Sequence, residues 1–112
     1  MGRPRNDAER RAAWWYRLRG YRILGTNVWI AGYELDVIAR RGRSVVFCEV
    51  KSKSGPRYGD PLEMVTVEKI RRIRRAADVW LAGNGRDHPS CRVTFDVIVE
   101  RDGRLQRLGD AF

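Results

Sequence analysis

Apolar positions along the chain change their period several times, and each change marks an element. Glu9, Ala12, Ala13, Tyr16 and Gly20 recur at helical spacing with Trp15 alongside. That spacing predicts a helix from Ala8 to about Arg19, capped by Asp7 and stopped by Gly20. Tyr21 to Trp29 reads as a strand, and Tyr33 to Ala39 and Val45 to Lys51 as two more. Arg40-Arg41-Gly42-Arg43-Ser44 joins the last two and suits a hairpin loop. Ile70, Ile73, Ala77, Trp80 and Leu81 form the apolar stripe of a second helix, Thr66 to about Ala82. Thr66 is its cap and Gly83 its stop. Val93, Phe95, Val97 and Val99 then alternate with Thr94, Asp96, Ile98 and Glu100 as a strand. The turn Arg101-Asp102-Gly103-Arg104 leads to a short last strand near Leu105 to Leu108. Between Lys51 and the second helix, the turn-rich run Ser54 to Pro61 predicts an exposed loop. The order α-β-β-β-α-β-β suits an α/β fold with a mixed central sheet and the second helix as a crossover, although other α/β sandwiches share that order.

The middle hairpin breaks its own pattern with charge. Side chains alternate between faces of a strand, so Glu34, Asp36 and Ile38 are expected on one face of the first strand. Val45, Phe47, Glu49 and Lys51 are expected together on the second. An antiparallel pair then gathers three carboxylates and one ammonium. Crowded carboxylates repel and are costly to desolvate. A divalent cation such as Mg²⁺ relieves both, which points to a metal-dependent catalytic centre. The ordinary alternative is a cross-strand charge network on a solvated face. It fits poorly, because Val46, Cys48 and Val50 are apolar on one face while Val45 and Phe47 are apolar on the other.

Composition adds a partner. The 112 residues make a single domain, with residues 1–6 expected to be a flexible start. Against 14 acidic residues stand 23 Lys and Arg, a net charge of +9. Such an excess, mostly Arg, favours a polyanion, and nucleic acid is the expected partner; solubility or an Arg-rich genome is the alternative. No apolar run approaches the ~20 residues that span a bilayer, and no signal-peptide core precedes Arg11, so a cytoplasmic protein without a membrane partner is expected. Cys48 and Cys91 lack metal-ligand spacing, and His88 sits in a polar stretch, so zinc and triad chemistry find no support. Cys48 is expected to enter the core opposite Glu49. Arg71, Arg72, Arg74 and Arg75 make a basic face on the second helix, either solvated or in contact with DNA.

Asp36, followed after an interval by Glu49-Val50-Lys51, resembles the D…(D/E)-x-K core of the restriction-endonuclease-like superfamily. More closely, the chain resembles the YraN family of predicted endonucleases, small bacterial proteins related to archaeal Holliday-junction resolvases. Ala8-Glu9, Gly20 to Leu24, Asn27, Glu34 to Ala39, Val46 to Lys53 and Phe95 to Ile98 carry the likeness. One departure is Ala31-Gly32-Tyr33-Glu34, where the family usually reads Arg-Gly-Glu. The resemblance implies the restriction-endonuclease-like three-layer fold and an endonuclease that hydrolyses DNA phosphodiesters, including branched substrates. The alternative is a nucleic-acid-binding protein that keeps the fold without robust catalysis. The resemblance further implies Mg²⁺ or Mn²⁺ held by Asp36 and Glu49, with Glu9 assisting metal or water, and Lys51 orienting the attacking water. Glu9 is otherwise a helix-start acid favoured by the macrodipole. Glu34 is a second-rank member of the site. Asp96 matches the family's F-D-V and is expected to be structural, pairing with an Arg or a backbone group. Lys53, Arg57, Lys69 and Arg72 are the expected nucleic-acid contacts, and resolvase relatives leave room for a homodimer.

Overall fold

The computed structural model describes residues 7–53, 65–84 and 91–112. Helix α1 spans Asp7–Arg17 and strands β1, β2 and β3 span Arg22–Ile30, Tyr33–Arg41 and Ser44–Lys53. Helix α2 (Val67–Asn84) and strands β4 (Arg92–Arg101) and β5 (Arg104–Leu108) follow. The five strands form one sheet in sequential order, antiparallel except for the parallel pair β3 and β4. A parallel neighbour needs a crossover, and α2 lies in that connection. The element order and mixed sheet are those the sequence implied.

Local chemistry sets the boundaries. Beyond α1, the Tyr21 N–H reaches the Tyr16 carbonyl at 3.0 Å and the Gly20 N–H reaches Arg17 at 3.1 Å. With Gly20 at φ 86°, this is a Schellman ending, and the Tyr16 and Tyr21 rings meet edge-on at 5.1 Å as its apolar clasp. At the start of α2, Thr66 Oγ1 accepts the Lys69 N–H at 3.1 Å, as a cap should. The helix runs through Gly83 to Asn84, past the stop expected at Gly83; nothing lies within 4 Å of a Cβ there, and the Asn84 side chain instead binds the Trp80 carbonyl at 2.8 Å. The β2–β3 connection is also tighter than the Arg40–Ser44 loop expected. Strand pairing reaches Arg41 and Ser44, leaving Gly42 and Arg43 to turn, with Gly42 at φ 59°. Glycine tolerates the positive φ of so short a hairpin.

One helix covers each face of the sheet. On the first, Ala8, Ala12 and Tyr16 of α1 pack on Val37, Ala39, Val46, Cys48, Val50 and Ile98. The small alanines let α1 approach closely. On the other face, Ile73, Ala76, Ala77 and Trp80 of α2 meet Leu35, Ile38, Val45, Phe47 and Phe95. This three-layer arrangement is compatible with a nuclease-like fold. Cys48 faces α1, as expected. None of the helices among the described residues is long and apolar enough to cross a membrane.

Candidate metal centre and nucleic-acid cleft

Pairing between β2 and β3 stops at Val37 and Cys48. One step beyond lie Asp36 and Glu49. There the Val50 N–H goes to Asp36 Oδ2 at 2.9 Å instead of a strand carbonyl. A side chain thus replaces the ladder bond, and a cleft of about 520 Å³ includes both acids in its wall. Glu9, Glu34, Lys51, Lys69, Arg72, Tyr33 and Trp29 also line it.

The acids arrive from both faces of the sheet. Glu49 is 3% exposed; its Oε1 accepts the Tyr33 hydroxyl at 2.7 Å and lies 3.7 Å from Lys69 Nζ. Glu9, equally buried in the first turn of α1, accepts from Asn27 Nδ2 at 2.5 Å. The same amide nitrogen donates to Glu34 Oε1 at 3.1 Å. Oxygens of Glu9, Glu34 and Asp36 all lie within 4.8 Å of one another. Hence the tightest group contains Glu34 in place of Glu49, which stands beside Asp36 under the hold of Tyr33 and Lys69.

Strict alternation does not produce this. Leu35 and Ile38 both enter the α2-side core, although three residues apart, whereas Val37 joins the α1 side. Glu34 and Ile38 therefore do not share a face, contrary to the sequence expectation. The neighbouring strand is unusual at the same level. Asn27, bracketed by the pairs Thr26–Val37 and Val28–Leu35, adopts φ 50°. From that left-handed position opposite Asp36 the Asn27 amide reaches both Glu34 and Glu9.

Electrostatics match the geometry. Burial, then the charge of Glu49, pushes the Asp36 carboxyl up to about 8, although the Val50 N–H opposes the shift. Burial and the neighbouring Lys51 lower the Lys69 ammonium, while Glu49 pulls it back up. Thus a carboxylate pair and a lysine pair line one cleft and act on one another there. Lys51, Lys53 and Lys69 are the only lysines of an Arg-rich chain, and two of them line this wall. A compact ammonium fits beside carboxylates where a guanidinium fork would be too broad. As donors, the acids offer hard oxygens, the set that suits Mg²⁺ or Mn²⁺, and burial beside Glu49 holds Asp36 away from easy ionisation. The residues fit such an ion.

Other expected residues fall elsewhere. Asp96, fully buried in β4, accepts from the Tyr16 hydroxyl at 2.5 Å, from Arg107 Nε at 3.0 Å and from the Asp110 N–H at 2.9 Å. Burial pushes the Tyr16 phenol far above the usual tyrosine range, so it stays a donor. Asp96 thus pairs with an Arg and a backbone N–H, and its contacts tie α1, β5 and the segment after it together. Arg72 lines the cleft and also pairs with Glu68 at 2.7 Å. Lys53 closes β3, while Arg57 and the expected Ser54–Pro61 loop lie outside the described residues. Sequence reading passed over Asn27, Tyr33 and Trp29 as site members. Asn27 carried a signal, since Asn is depleted in strands and enriched at left-handed positions. Trp29 is 65% exposed on the cleft wall, a flat face of the kind on which bases stack.

Comparison with known proteins fits the same span. A profile of the uncharacterised protein family UPF0102 matches residues 8–99. A UPF0102 protein of Symbiobacterium thermophilum is 46% identical over 101 residues, covering 88% of this chain and 84% of that one. A relative from Bartonella bacilliformis is 40% identical over 98 residues, covering 88% and 78%. One from Hahella chejuensis is 37% identical over 108 residues, covering 94% and 86%. With a profile match across most of its length and relatives this similar, the chain belongs to the uncharacterised protein family UPF0102, the YraN family.

Proposed function

We propose that the protein is a divalent-cation-dependent endonuclease that hydrolyses DNA phosphodiester bonds, with branched DNA among its substrates. The observation that carries this reading is the meeting of opposite charges in one cleft. The acids Asp36, Glu49, Glu9 and Glu34 line the same cleft as Lys51 and Lys69, and Lys69 lies 3.7 Å from Glu49. Binding nucleic acid needs positive charge alone; four carboxylates in a phosphate-binding cleft repel the ligand unless a cation covers them.

Asp36 and Glu49, assisted by Glu9, would hold Mg²⁺ or Mn²⁺. Such an ion, when bound, polarises a phosphoryl oxygen and makes a coordinated water more acidic. The chain's own groups do the rest. Lys51 presents a compact cation to the non-bridging oxygens, where negative charge grows as the new P–O bond forms and the ester P–O bond breaks. Hydrolysis leaves a phosphate monoester and an alcohol. Tyr33 and Lys69 fix the Glu49 carboxylate from the α2 side. Arg72, on the cleft wall, adds positive charge for the flanking phosphates.

A second reading has one observation in its favour. Glu49 already has Tyr33 and Lys69 as partners, so it can serve as a structural anion in a module that binds nucleic acid without cutting it. A Mn²⁺-supplemented cleavage screen over linear, flapped and four-way DNA separates the two. The nuclease reading expects product from at least one substrate and none from Asp36→Asn. Binding without product from any substrate would leave the module.

A further inference from the structure

We infer that Asn27 is a positioning residue that sets Glu9 and Glu34 as a pair for a divalent cation. The inference rests on the cation reading above and adds a residue to it. Asn27 is buried, 9% exposed, and occupies the left-handed region at φ 50° inside a strand. Asn is among the few residues that tolerate that region without large strain. The unusual backbone aims one amide between two elements. Its Nδ2 donates to Glu9 Oε2 of α1 at 2.5 Å and to Glu34 Oε1 of β2 at 3.1 Å. Both amide hydrogens are thereby committed to carboxylates. Turning the amide over would set its oxygen against the same two anions, so chemistry fixes its orientation.

The other end of the amide is the second, independent observation. Asn27 Oδ1 is buried and has no hydrogen-bond partner among the described residues. An orphaned acceptor in a native interior requires an explanation. Next to residues that hold three mutually close carboxylates, a cation's coordinated water is a hydrogen-bond donor of the right chemistry for that oxygen. Asn27 thus bridges two like charges through one amide nitrogen, and the oxygen on the other arm of that amide keeps its acceptor capacity unused among the described residues. Groups that orient metal-binding carboxylates commonly change metal affinity by 10–100-fold when removed.

The test uses the full chain and Mn²⁺ as the probe. Asn27→Gly removes the amide while keeping a residue at ease with positive φ. Asn27→Asp keeps the shape but sets a further carboxylate against Glu9 and Glu34. Calorimetric titration is expected to show Mn²⁺ binding weakened about 10-fold or more in Asn27→Gly, which is about 1.4 kcal/mol, with cooperative melting retained in chelator. Asn27→Asp is expected to melt below wild type in chelator, yet to gain more than wild type on adding Mn²⁺. A merely structural amide would lower both melts equally and leave affinity alone. Unchanged Mn²⁺ affinity in Asn27→Gly would overturn the inference while leaving the cation reading intact. If the glycine variant does not fold, the aspartate pair of melts decides, and equal losses with and without Mn²⁺ would overturn it. Absence of Mn²⁺ binding to wild type would remove the cation reading and this inference together.

Discussion

At the scale of single residues, the site works against the stability of the metal-free fold. Burial and Glu49 together penalise ionised Asp36, which its one backbone donor does not offset. Asn at that position keeps the size and an acceptor for the Val50 N–H but carries no ionisation penalty. Asp36→Asn is therefore expected to raise the unfolding midpoint in chelator by about 4–8 °C, the shift that ~1 kcal/mol gives in a domain of this size. The same variant should lose the further rise that Mn²⁺ or Mg²⁺ gives wild type by binding the folded state. Paired melts with chelator and with metal check both signs; a variant that still rises with metal as wild type does would place the ion elsewhere. The individual acids Asp36, Glu49 and Glu9 were legible in the sequence because each interrupts an apolar pattern or matches the family. Glu34 was legible only as a lesser member. Its place beside Glu9 comes with a shared Asn27 donor from the next strand, which no period in β2 records.

At the scale of elements, the chain declares its ends more clearly than its pairings. Gly20, Thr66 and the Asp102-Gly103 turn act within a few residues of themselves, so each was readable locally. Pairing of β3 with β4 depends instead on a partner across the α2 crossover. The tight Gly42-Arg43 hairpin similarly reflects how far the strands stay paired. The cap at Thr66 connects this scale to the site, because the residue it holds is Lys69. Thr66→Ala is expected to cost about 1 kcal/mol of stability, lowering the thermal midpoint by about 4–8 °C. Thr66→Asp, also an acceptor and favoured by the helix dipole, should restore it. Melting of the three proteins in one buffer tests this, and an alanine variant as stable as wild type would show that the cap contributes nothing. Gly20→Ala, forced to hold φ 86° with a Cβ, is expected to lose about 1–2 kcal/mol. Chemical denaturation reads that loss, which should appear as a lower midpoint with an unchanged denaturant slope.

At the scale of the whole molecule, the net charge of +9 and the acid-lined cleft imply two separable properties. Charge should bind nucleic acid in a salt-dependent way, with a log–log slope of magnitude about 4 or more as counterions leave the backbone. Fluorescence anisotropy across a salt series measures it, and a slope near zero would assign the arginines to solubility. Chemistry should depend on a few groups inside the cleft. The direct measurement is therefore paired: the DNA cleavage rate with Mn²⁺ and the DNA affinity with Ca²⁺, for wild type and Lys51→Ala. The nuclease reading expects wild type to cut and Lys51→Ala to cut on the order of 100-fold more slowly, about 3 kcal/mol in the barrier, with far less change in affinity. Equal cleavage rates would remove Lys51 from the chemistry, and a wild type that binds DNA but never cuts it would contradict the nuclease reading itself.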